Sequence, residues 1–209
     1  MPRPPRQLKK LMHIICEGEK TEPFYIRGYI DDQAKEKAKV IEVPDVKVNT
    51  PVQLVDYAVS LRNSSSTSAD DEYWVVYDRE SVRKYSHELH AQAWNKAQAN
   101  GINIALSNVC FEIWILLHFQ GCDAPYENYD DLYRNSGLKG ALKSVGIENY
   151  NKGFVHLYSK LAGGVSNARK RAEILNRRSK EVAEKDNHRP FHYGCYTDVH
   201  LLLDAIDSF

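Results

Sequence analysis

The 209-residue sequence has no paired cysteines, no long apolar run and no excess of charge of either sign. Its four cysteines, Cys16, Cys110, Cys122 and Cys195, form no C-x-x-C pair, which argues against a disulfide framework and the common zinc sites. A site of Cys110, His118 and Cys122 lacks a fourth ligand and fits no common spacing. Reduced thiols in a cytoplasmic protein are the expectation. Residues 113–119 form the longest apolar run, and it is too short to cross a bilayer. The opening "MPRPPRQLKK" is basic, but neither an apolar stretch nor a small-residue cleavage site follows. It reads as a basic arm over residues 1–9, not a signal peptide. Lysine plus arginine and aspartate plus glutamate each number 28. Bulk charge therefore does not draw the chain to nucleic acid, although a local basic patch is allowed. A phosphate-cradling loop is missing too. "GEKT" looks like the end of a Walker A motif, but Glu19 separates Gly18 from Lys20 and no upstream glycine begins the loop.

What is present is a repeated strand-then-helix order. "KLMHIIC" is a buried strand bounded by Gly18, and "EPFYIRGYIDDQAKEKAK" a helix broken or loosened near Gly28. "VIEVPDVKVN" alternates like a strand, with Pro44 marking an edge or bulge. Thr50 and Pro51 open the helix "TPVQLVDYAVSLRN". "EYWVVYD" is a third strand, followed by the helix "YSHELHAQAWNKAQAN", which Gly101 closes in a left-handed conformation. "INIALSN" is a fourth strand and "CFEIWILLHF" an apolar helix. Four such units predict an α/β fold with a doubly wound, mainly parallel, four-stranded sheet over residues 10–121. Residues 122–209 read as a helical extension that packs back on this core. Within it, "SNARKRAEILNRRSKEVAEK" turns Ala168, Ala172, Leu175 and Val182 inward, and Thr197 caps a closing helix.

Ligands of open parallel sheets bind beyond the carboxyl ends of the strands. Three predicted strands end on groups suited to a divalent ion: Glu17, then Asp78 and Glu80, then Ser107 and Asn108 with Glu112 a turn further on. Mg²⁺ takes one or two carboxylates and completes its shell with water and phosphate. If the chain stays extended, Asp78 and Glu80 point the same way and can share an ion while Arg79 points elsewhere. Each acid taken alone reads more readily as a loop residue, and it is their joint occurrence at successive strand ends that favours the ion. Lys20 stands within reach of a phosphate, or caps the following helix. Arg169, Lys170, Arg171, Arg177 and Arg178 make a basic helix face, either for a polynucleotide backbone or simply solvated. "HELH" departs from the metalloprotease pattern H-E-x-x-H, and His118 reads as a hydrogen-bonded core histidine.

The trio "CEGEKTEPFY", "YWVVYDRES" and "IALSNVCFEIWILLHF", in that order and spacing, resembles the RloB family of prokaryotic proteins with a Toprim-like (Rossmann-like) core. The ending "TDVHLLLDAI" is similar to that family's C-terminal segment, so the resemblance spans residue 10 to about 206. It implies that Glu17 corresponds to the glutamate after the first Toprim strand and Asp78 to the first aspartate of the D-x-D after the third. Glu80 stands where the second aspartate is usual, a departure that lengthens the arm by one bond. Ser107 and Glu112 are matched to the serine and acids near the fourth strand of OLD-type Toprim nucleases. The resemblance further implies a place in restriction-modification and phage-defence loci beside an ATPase protein partner.

The expectation is a Mg²⁺- or Mn²⁺-dependent nuclease. Its catalytic acids would be Glu17, Asp78 and Glu80, with Glu112 joining them as a metal ligand. Lys20, Ser107, Asn108 and the basic helix would bind nucleic acid, DNA or RNA. The alternative is a non-cleaving module that binds nucleic acid or nucleotide and works with the ATPase. No membrane partner is expected, and self-association stays open.

Overall fold

The computed structural model describes residues 10–48, 50–185 and 188–209. The basic arm expected over residues 1–9 lies outside the described residues. Among the described residues five strands form one sheet: β1 (Met12–Cys16), β2 (Ile41–Glu42), β3 (Glu72–Asp78), β4 (Asn103–Asn108) and β5 (Tyr196–Thr197). Their order is β2-β1-β3-β4-β5. The first four run parallel, and β5 runs antiparallel to β4 with Ser107 opposite Thr197 and Asn108 opposite Tyr196. The fold is therefore α/β as expected, but the sheet has five strands, not four. β5 escaped notice because two residues carry no periodicity; it exists through pairing, sealed where Ser107 Oγ meets Thr197 Oγ1 at 2.9 Å.

Alternation along the strands sends side chains to two layers. Met12, Ile14, Cys16, Trp74 and Val76 enter one core, covered by α1 (Thr21–Gln33) and α4 (Glu112–Leu117). Ile15, Tyr73, Val75, Tyr77 and Leu106 enter the other, covered by α2 (Pro51–Arg62) and α3 (His87–Ala99). The extension adds α5 (Tyr129–Asn135), α6 (Leu138–Ser144), α7 (Leu157–Leu161), α8 (Val165–Glu181) and α9 (Val199–Ser208). Leu132, Leu142, Leu161, Ala172 and Leu203 bring all five helices into the first core.

Several local expectations change. The strand predicted over residues 40–49 shortens to Ile41–Glu42. Pro44 brings no N–H to a ladder, and Arg27 instead takes the Val43 carbonyl at 2.5 Å and Asp45 at 2.7 Å. Gly28 does not break α1, which runs through it. It is needed for close approach, because a Cβ there would sit 2.7 Å from the Tyr158 Cβ of α7. Val182 lies beyond the end of α8 and is 82% exposed, so it is not part of the inner face. Asp198, not Thr197, occupies the N-cap of α9, since Thr197 belongs to β5. The turn predictions at Thr50 and Gly101 hold: Thr50 Oγ1 accepts from the Gln53 N–H at 3.3 Å, and Gly101 has φ 63°.

Candidate functional site

The chain leaves β1 for the edge strand β2, then returns across β1 to β3. Direction reverses between β1 and β3, and the crevice at their carboxyl ends is the switch point at which such sheets take ligands. β1 hands off to Glu17 and β3 ends on Asp78. Parallel register places Cys16 opposite Val76, and the two acids follow directly. The Asp78 N–H donates to Glu17 Oε2 at 3.0 Å, and the Tyr85 hydroxyl donates to Glu17 Oε1 at 3.2 Å.

Asp78 continues the parity of Trp74 and Val76 and so faces the layer of α1 and α4. Two more buried acids wait there: Glu22 in the first turn of α1 and Glu112 at the start of α4. Burial, then repulsion from Glu22, Glu17 and Glu112, holds the Asp78 carboxyl well above its ordinary pKa. Burial is also the main reason Glu22 is pushed up to about 7, with Glu112 and Glu17 adding to it. Glu17 is raised by burial and by Glu80, against the pull of the Asp78 N–H, Lys84 and Tyr85. Lys152 supplies opposite charge. Burial works against its ammonium, but attraction to Glu112, Asp78 and Glu22 outweighs this and raises its pKa. Tyr150 donates its hydroxyl to Glu112 Oε1 at 3.0 Å, while Glu112 Oε2 is buried with no hydrogen-bond partner.

The segment "EGEKTE" is built for this crowding. A Cβ on Gly18 would lie 2.2 Å from Glu22 Oε2, so the glycine lets Glu22, the third glutamate of the segment, fold back over the turn that carries the first. An acid in a helix's first turn ordinarily answers the helix dipole, and that ordinary role hid Glu22 in the sequence. Tyr85, Tyr150 and Lys152 carried no pattern that could have singled them out.

The other predicted residues are placed differently. The extended course expected over residues 78–80 is not taken: β3 stops at Asp78 and Glu80 has φ 56°, in the left-handed region. Glu80 pairs with Lys84 at 2.7 Å and bears on Glu17 from the rim. Arg79 turns inward, donating to the carbonyls of Phe191, Glu80 and Tyr85. The Ser107 hydroxyl is engaged by Thr197, and the Asn108 amide donates to the Tyr193 carbonyl at 2.7 Å. Lys20 is exposed at the start of α1 and lines a shallow groove of about 400 Å³ with Arg27 and Lys47. On α8, Arg169 bonds Tyr29, Asp204 and Asp207, Arg171 bonds the Leu117 carbonyl, and Arg178 meets Asp123 at 3.3 Å. Lys170 and Arg177 are exposed. His118 is a core histidine, bonded to the Tyr25 hydroxyl and the Trp114 carbonyl at 2.9 Å each.

Among the described residues, no group of three His, Cys, Asp or Glu side chains is set to hold a metal ion as it stands. The donor chemistry nevertheless suits a hard cation. Every acid of the cluster offers oxygen, the acids repel one another, and one buried oxygen of Glu112 has no partner.

An open, mostly parallel sheet with mutually repelling acids at its switch point defines an α/β protein with an acidic centre at the strand ends. The family model of RloB-like proteins matches residues 12–206, and the chain belongs to that family. No curated protein and no solved structure matches it. Among the described residues no helix is long and apolar enough to cross a membrane.

Proposed function

We propose that this RloB-like chain is a metal-dependent nuclease that hydrolyses phosphodiester bonds of DNA or RNA, acting in prokaryotic defence against foreign nucleic acid. One observation carries the reading: buried acids from three segments repel one another and raise the pKa values of Asp78 and Glu22, and among the described residues Glu112 Oε2 has no hydrogen-bond partner. A phosphate anion cannot approach such a cluster until a cation has neutralised it. Glu17, Asp78 and Glu112 would hold Mg²⁺ or Mn²⁺, with Glu22 beside them and Glu80 at the rim. A divalent ion bound there polarises a phosphoryl oxygen and lowers the pKa of water.

The chain's own groups divide the remaining work. Glu22 stands beside the metal-holding acids, raised toward neutrality by burial and by Glu112 and Glu17 while no cation is bound, and beside a cation it would release that proton. Tyr85 and Tyr150 orient Glu17 and Glu112 through their hydroxyls. Lys152 carries positive charge to the same place and suits a phosphoryl oxygen. Lys20, together with exposed Lys170 and Arg177, offers backbone contacts to the polynucleotide.

The test is purified protein with Mg²⁺ or Mn²⁺ against DNA and RNA, beside Glu17→Gln, Asp78→Ala and Lys152→Met. Cleavage that needs the metal and disappears in the two acid variants supports the proposal; wild-type protein that binds without cutting refutes it. A second reading, a non-cleaving module working with an ATPase partner, draws on the lack of a ready-made three-ligand group among the described residues. Binding without cutting is the result it requires.

A further inference from the structure

Cys122 lies in the loop between α4 and α5, and Cys195 lies just before β5. The fold brings their thiols to one acceptor. Their Sγ atoms lie 3.5 Å and 3.1 Å from the carbonyl oxygen of Ala124, so both thiols meet at one acceptor. Each residue is 7% exposed, but Gly121, Asp123 and Gly194 beside them are exposed, so the pair sits one residue beneath the surface. Cys16 and Cys110 contrast with them, sealed in the core at 2% and 1%.

We propose that Cys122 and Cys195 form a reversible oxidation site, closed to a disulfide by a peroxide. The Ala124 carbonyl takes the Cys195 thiol at 3.1 Å and the Cys122 thiol only at 3.5 Å, so the Cys195 proton is the more firmly held. The pKa values agree in direction: Cys122 lies below its ordinary value through its neighbour Cys195, and Cys195 above its own through Cys122 and burial. Cys122 is therefore the attacking sulfur and Cys195 the resolving one. The Cys122 sulfur takes one oxygen of hydrogen peroxide, the O–O bond breaks, and a sulfenic acid and one water result. The Cys195 sulfur then displaces the hydroxyl, which leaves as a second water with the Cys195 proton. Two thiols have lost two electrons and two hydrogens, and one peroxide has become two waters. A dithiol reductant reverses the step by exchange.

The site has a structural consequence, because the two segments it joins both line one cavity. Tyr126 and Asn128 from the first segment and His192 and Tyr193 from the second line a cavity of about 740 Å³, together with Glu80 and Asn108 near the strand ends. A Cys122–Cys195 bond staples the two walls together, whatever the cavity binds.

The experiment uses the full chain, treated with hydrogen peroxide and mapped by mass spectrometry without reduction. The expected product is a peptide joining Cys122 to Cys195, two hydrogens lighter and restored by dithiothreitol. In Cys195→Ser, Cys122 should stop at a sulfenic acid that dimedone captures; in Cys122→Ser, Cys195 should remain a thiol. Amide hydrogen exchange over residues 121–128 should slow about tenfold on oxidation of the wild type and not of Cys195→Ser. The wild type decides the matter without any variant. If its circular dichroism is unchanged and peroxide leaves no Cys122–Cys195 peptide, or links either cysteine to Cys16 or Cys110 instead, the assignment is wrong.

Discussion

The acids at the switch point fall into two groups that share a chemistry and differ in their surroundings. On the outer side, half-buried Glu17 and Glu80 are each answered by donors: the Asp78 N–H and Tyr85 for Glu17, and Lys84 for Glu80. On the inner side, Asp78, Glu22 and Glu112 are buried, repel one another, and share one tyrosine and one lysine. Both outer acids have donors, although burial and Glu80 still raise Glu17. The inner ones are held there by packing, with Lys152 the cation that answers them, and a buried acid cluster only partly compensated in this way marks a site suited to a cationic ligand.

Four measurements would break or sharpen this contrast. The largest effect is expected from Asp78→Asn. Metal-dependent cleavage should fall by about 100-fold or more, beyond what supporting residues around a metal usually cost. The melting temperature at pH 8 should rise all the same, because a repelled buried charge has gone. A fall in melting temperature would show that Asp78 is stabilised where it stands, and the inner group would lose its distinction.

Next comes the pH dependence of stability. Glu22 goes from an ordinary value of 4.5 to about 7 in the fold, so the folded protein holds a proton that the unfolded chain has released. Its contribution is complete below about pH 4.5 and is lost as pH rises through about 7, on the order of 3 kcal/mol in all. Urea denaturation between pH 4.5 and pH 8 should show the decline, and Glu22→Gln should flatten it. A decline that survives in the variant belongs to another group.

Smaller effects separate the tyrosines from the surface pair. Tyr150→Phe removes the hydroxyl that donates to Oε1 of buried Glu112 and should cost about 1–3 kcal/mol in the same denaturation experiment. Removing Lys84 from its exposed pair with Glu80, as Lys84→Ala, should change stability by less than about 1 kcal/mol. If Lys84→Ala costs as much as Tyr150→Phe, the outer acids are no better satisfied than the inner ones.

Much of the fold was legible, and for local reasons. The strands around Ile14, Val75 and Ala105 announce themselves by unbroken β-branched and apolar runs, and Thr50–Pro51 and Gly101 by their turn chemistry. Glu17, Asp78 and Glu112 could be found because each stands where a strand or the following helix begins or ends. Glu22, Tyr150 and Lys152 could not, since a helix's first turn and an irregular polar segment put charged and aromatic residues there for many reasons. Ser107 shows the opposite failure. Its position suggested chemistry, but its hydroxyl is taken up by a strand that only the distant segment at Thr197 could provide.

What the sequence determined by itself was the alternation of apolar strands and amphipathic helices, and with it the α/β class and the family kinship. These depend on neighbours along the chain, whose spacing is written in the order of residues. The tertiary structure decided the fifth strand, the turn at Glu80, the pairing of Cys122 with Cys195 and the division of the acids into satisfied and unsatisfied groups. Each of these depends on residues far apart in the chain and on the exclusion of water between them, and neither quantity exists until the layers have closed.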